Sequence, residues 1–81
     1  MNNRICVIGI VVENRKNSAA QINQILSDFG DIIVGRMGVP YREKKLSVIS
    51  LIVDGNTDQI GALTGKLGQV PKVKVKSTIL I

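Results

Sequence analysis

Cys6 is the only cysteine of the chain, and histidine is absent. The commonest general base and the commonest transition-metal ligand are therefore missing. Cys6 sits inside an apolar run, where a thiol packs as a small core residue and is not expected to act as a nucleophile. With no Cys-x-x-Cys, the metal-carrier and iron–sulfur chemistries are excluded. The six carboxylates, Glu13, Asp28, Asp31, Glu43, Asp54 and Asp58, are scattered, and no pair has a spacing that forces the two together. No catalytic residue, metal ligand or cofactor site is assigned from them. What remains is cationic: Arg15 beside Asn14, Arg36 between Gly35 and Gly38, and the run Tyr41-Arg42-Glu43-Lys44-Lys45. Asn14, Arg15 and Arg36 are candidate contacts for a small anionic or polar effector bound at a subunit interface, and Tyr41, Arg42, Lys44 and Lys45 for a docking partner. Each of these also reads as ordinary solvated charge on loops and strand ends.

The elements that must position these residues follow from the apolar pattern. Ile5 to Val12 is β-branched and apolar throughout, as a central strand covered on both faces would be. After the polar loop Glu13 to Asn17, Ser18 with Gln21 forms a capping-box pattern. Ala19, Ile22, Ile25, Leu26 and Phe29 then recur at helical spacing, and Gly30 stands where a left-handed C-terminal cap would fall. Asp31 to Val39 predicts a second strand ended by Pro40. Tyr41 to Lys45 predicts a basic hairpin tip, and Leu46 to Val53 a third strand. Asn56 with Gln59 signals a second helix start, with Ile60, Leu63 and Leu67 as its apolar stripe, closed by Gly68 and Pro71. Gly61 and Gly65 inside that helix each cost up to about 1 kcal/mol of helix propensity. Close approach of the sheet or of another subunit is the expected compensation. Val73 to Leu80 alternates Val73, Val75 and Ile79 with Lys74, Lys76 and Thr78, as an edge strand with one wet face does.

This β-α-β-β-α-β series occupies the 81 residues as one domain, residues 1–81, and implies an α+β ferredoxin-like sandwich. Such a fold is a four-stranded antiparallel sheet with two helices on one face, and it hosts many unrelated functions. The apolar run of eight residues near the N-terminus is too short to span a bilayer and has no small-residue cleavage site after it, so no membrane contact and a cytoplasmic location are expected. Net charge is +5, from eleven basic and six acidic residues, and its placement in loops and on an edge strand makes solubilising surface charge the first explanation.

The third strand carries Leu46, Val48 and Ile52 on one side and Ile49, Leu51 and Val53 on the other. Helices cover only one face of this fold, so a monomer would leave aliphatic side chains in water. Each is worth about 1.5–3 kcal/mol when fully buried, and four to six of them give a gross gain near ~10 kcal/mol. A homo-oligomer, dimer or tetramer, that covers the open sheet face or extends the sheet is the expectation.

Two resemblances bear on chemistry. Gly35 to Arg42 resembles the Gly-Arg-x-x-Gly-Val-x-aromatic-Arg stretch with which acylphosphatases cradle phosphate. In that family the stretch joins strand one to a helix, whereas here it joins strands two and three, with no helix N-terminus to help hold an anion. RNA-recognition domains share the element order but stack bases on aromatics of the central strands. Ile5 to Val12 and Leu46 to Val53 contain none, and neither a helix-turn-helix nor an N-terminal ribbon arm precedes strand one, so direct nucleic-acid binding is not expected.

Three stretches, Gly30 to Lys44, Ile49 to Gly55 and Ile60 to Gly68, together resemble the family described as regulators of the iron-only hydrogenase system. That resemblance implies an ACT-like ferredoxin fold, similar to ACT domains and to the ligand-binding domain of the nickel-responsive regulator, without a DNA-binding part. The nickel ligands of that regulator include histidines, which this chain lacks, so no metal site is carried over. ACT domains commonly have a glycine after strand one, and here the loop is Glu13-Asn14-Arg15. The function implied is a non-enzymatic regulatory or ligand-sensing domain, acting as a homo-oligomer with a hydrogenase-system or DNA-binding partner protein. A structural interaction module docking through the Tyr41–Lys45 hairpin is the alternative, and an acylphosphatase-like enzyme the third reading.

Overall fold

The computed structural model describes residues 3–13 and 16–81. Its elements are β1 (Arg4–Glu13), α1 (Lys16–Asp28), β2 (Ile33–Tyr41), a 3-10 turn (Arg42–Lys44), β3 (Leu46–Gly55), α2 (Thr57–Gly68) and β4 (Val73–Ile79). The strands form one four-stranded sheet in the order β2-β3-β1-β4, antiparallel at each pairing. The two apolar runs thus lie at the centre, and the edges go to β2 and the lysine-bearing β4. This is the ACT-like ferredoxin-like fold.

Both helices lie on one face, α2 over β4 and β1 with α1 beside it. Beneath them, alternate residues of the central strands, Cys6, Ile8, Ile10 and Val12 of β1 with Ile49, Leu51 and Val53 of β3, are buried. Ile22 and Leu26 of α1 and Ile60, Leu63 and Leu67 of α2 close over them. Lys66 adds a cation–π contact across the helices, its Nζ 5.7 Å from the centre of the Phe29 ring.

The start of α2 is the capping box expected from Asn56 and Gln59. The Gln59 amide donates to Asn56 Oδ1 at 2.8 Å, and the Asn56 amide donates to Gln59 Oε1 at 2.9 Å. α1 is different, because it begins before Ser18, which is no cap. The Ser18 hydroxyl is buried and donates to the Pro71 carbonyl at 2.7 Å, tying α1 to the turn before β4. Ala19, expected in the apolar stripe, is exposed. Gly30 does not adopt a left-handed conformation. Consecutive i→i+3 bonds, Gly30 N–H to Ser27 O, Ile32 to Phe29 and Ile33 to Gly30, occupy the terminal carbonyls and carry the chain into β2 without a reversal of φ.

Pro40 does not end β2, which continues to Tyr41. An edge strand tolerates proline because one of its sides needs no donor. Nor do Gly61 and Gly65 bring α2 close to the sheet. Both are exposed, and a Cβ built at either meets nothing within 4 Å.

Candidate functional site

The position of Arg36 depends on a bulge. Ile33 pairs with buried Val53, but Gly35 pairs with Ile52, so Val34 is an extra residue in β2. The step reverses the alternation that follows it. Arg36 falls opposite buried Leu51, on the helix-bearing face, while Met37 falls opposite Ser50 on the open face. Gly38, opposite Ile49, follows Arg36 on the helix side and leaves room there.

A cleft of about 210 Å³ opens at this edge, between α1 and the ends of β1, β2 and β3. Its walls include Val12, Ile22, Ile49 and Pro40, and its polar side chains are Asn23, Arg36 and Ser47, while Glu13, whose register turns its side chain to the other face with Val11, borders it where β1 ends. Cation, amide and hydroxyl thus share a cavity with aliphatic walls, the usual composition of a small-molecule site. Such a cleft can hold one end of a small polar molecule by charge-assisted hydrogen bonds and the other by contact.

Of the expected effector contacts, Arg36 lines this cleft; Asn14 and Arg15 lie outside the described residues. Asn23 and Ser47 escaped the sequence reading because they come from separate elements, α1 and β3, and only the packing of the helix on the sheet brings them together. Glu13 ends β1 opposite Leu46 and donates its amide to Lys72 O at 3.1 Å.

Tyr41, Arg42, Lys44 and Lys45 do not line the cleft. They form the hairpin tip, all of them exposed, with Lys45 in the left-handed conformation at φ 55° and its amide donating to Arg42 O at 3.1 Å. Lys72, also left-handed at φ 63°, belongs to the same end of the sheet through its bond to Glu13. A hollow nearby is lined by Glu13, Leu46, Lys72 and Lys74. The basic end is therefore wider than the hairpin, and β4 supplies part of it.

Among the described residues, no three of Asp, Glu, Cys and His come together as a metal-binding group. No buried side-chain nitrogen or oxygen there lacks a hydrogen-bond partner. The stretch that resembles the acylphosphatase cradle is an edge strand running into a three-residue 3-10 turn, too short to present a helix N-terminus. No helix among the described residues is long and apolar enough to cross a membrane.

Comparison with solved structures shows the same fold elsewhere. The chain is similar to the protein TM1266 from Thermotoga maritima at 40% identity and a TM-score of 0.97, with 99% of this chain and 100% of that one covered. It is also similar to the ACT domain from the GTP pyrophosphokinase of Chlorobium tepidum, at 24% identity and a TM-score of 0.80 over 95% of this chain and all of that one. An ACT domain protein from Streptococcus pneumoniae shares the fold at 15% identity and a TM-score of 0.64, covering 94% and 89% of the two chains. No curated protein matches the sequence. A family model, TM1266-like, described as "Iron-only hydrogenase system regulator, putative", matches residues 4–77. With that match across the sheet and both helices, the chain belongs to the TM1266-like family of iron-only hydrogenase system regulators.

Proposed function

We propose that this chain is a non-enzymatic regulatory domain that senses a small anionic or polar effector and works as a homo-oligomer. The observation that carries the reading is the cleft under α1, where Arg36 shares aliphatic walls with Asn23 and Ser47. Arginine suits this task because its planar donors match a carboxylate or phosphate bidentately. The family supplies the regulatory context, and the ACT-like neighbours supply the fold. The effector's signal passes to a hydrogenase-system protein or a DNA-binding partner, and the domain itself contacts no nucleic acid.

Thermal unfolding in the presence of a panel of small carboxylates, amino acids and phosphate compounds tests this, with Arg36→Ala alongside. A true effector at about a hundred times its Kd adds about 2.7 kcal/mol, a rise in Tm on the order of 10 °C for a domain of this size. The rise should vanish in Arg36→Ala. A panel without any shift, or a shift equal in both proteins, would end the reading. Phosphatase activity that disappears with Arg36 would replace it with the enzyme reading.

The interaction-module reading draws on one observation, the exposed basic end. Tyr41 is 43% exposed beside Arg42, Lys44 and Lys45, a combination suited to an acidic partner surface.

A further inference from the structure

The sheet face away from the helices is largely aliphatic, with Gly9 and Ser50 paired at its middle. Register places Val7 and Val11 of β1, Val48 and Ile52 of β3, and Met37 and Val39 of β2 together on that face. Val48, Ile52, Met37 and Val39 are 41%, 46%, 65% and 48% exposed. Polar groups stand around them: Glu13 and Asp54 at opposite ends of the central strands, Lys74 and Lys76 along β4. A largely aliphatic face within a charged rim is the anatomy of a protein interface.

The two sheet edges, by contrast, are guarded. β2 carries the Val34 bulge and Pro40, which has no N–H to offer, and β4 carries Lys74 and Lys76. These are the devices by which edge strands resist pairing with another sheet. Gly9 adds an independent sign. It lies mid-way along the central strand β1 and has no positive φ, and a Cβ built there meets its nearest neighbour, Lys76 O, only at 4.0 Å. The subunit gives no reason for a glycine at that point, and close approach of another backbone is one of the reasons a strand carries one.

We infer that a second copy of this chain covers the open face, sheet against sheet, and that neither edge extends into a continuous sheet. The inference rests on the homo-oligomer reading above and specifies its surface. Four strands about 4.8 Å apart, rising about 3.3 Å per residue over some nine residues, present a flat footprint near 500–600 Å². Side-chain relief adds to this, which meets the roughly 600–1,000 Å² per partner of specific interfaces. A face-to-face pair also leaves the cleft under α1 open, because that cleft lies on the opposite side of the sheet.

Sedimentation velocity at micromolar concentration, with far-ultraviolet circular dichroism as the check on folding, tests the inference on wild type and Val48→Asp. The expected result is a wild-type dimer and a folded monomeric variant. Should Val48→Asp fail to fold, the near-isosteric Val48→Thr serves instead, expected to weaken the dimer about tenfold. A folded variant that stays as dimeric as wild type would overturn the face assignment and leave the homo-oligomer standing. A monomeric wild type would overturn both, while the Arg36-dependent effector shift is scored independently of either.

Discussion

Ser18 shows how much one side chain can hold. Its hydroxyl joins the first turn of α1 to the Pro71 carbonyl, 53 residues away in sequence, in a site where Ser18 is only 3% exposed. Removing a buried partner leaves the carbonyl without its hydrogen bond, and the expected loss for Ser18→Ala is about 1–3 kcal/mol. Urea unfolding measures it directly. A loss below a few tenths of a kcal/mol would show that the two segments hold together by packing alone. The bond went unforeseen because Ser18 and Gln21 spell a capping box, and the local pattern carries no trace of a partner so distant. Asn56 and Gln59 carry the same kind of pattern and do form the box, since both halves of that interaction lie within four residues of chain.

At the scale of elements, α2 is stable despite its glycines, because its stripe of Ile60, Leu63 and Leu67 is buried against the sheet. Gly61 and Gly65 lie on the exposed side, and nothing in the subunit occupies the space a methyl group would take. Gly61→Ala and Gly65→Ala are therefore each expected to stabilise the protein by up to about 1 kcal/mol, and together to raise Tm by several degrees. A fall in Tm that grows with protein concentration would mean that α2, too, packs against another subunit.

β2 illustrates a different limit. Its apolar and basic residues are legible as a strand, but the inserted Val34 decides which face Arg36 takes. Counting alternately from Ile33 would turn Arg36 to the open face, and only pairing with β3 shows that the count is interrupted.

For the whole molecule, the two faces of the sheet divide the work. One buries the core and borders the cleft at Arg36, and the other remains aliphatic with a charged rim. If a second copy covers that face, folding and association are linked, and Tm must rise with protein concentration. Calorimetry over a hundredfold range of concentration checks this. The expected increment is RT ln 100, about 2.7 kcal/mol of stability per mole of dimer, and a constant Tm would argue for an independently stable monomer.

The residues alone determined the order of elements, the central place of β1, the apolar stripe of α2 with most of that of α1, and the absence of histidine-based chemistry. Hydrophobic period and composition are local properties, and local properties survive in a linear reading. The tertiary structure decided the rest: the Ser18–Pro71 tie, the turns through Gly30, the open space around Gly61 and Gly65, and the meeting of Asn23, Arg36 and Ser47 at one cleft. The tie depends on contact between distant segments, and the place of Arg36 on strand register. A single inserted residue in β2 turns Arg36 to the cleft without altering the apolar pattern from which the fold is read.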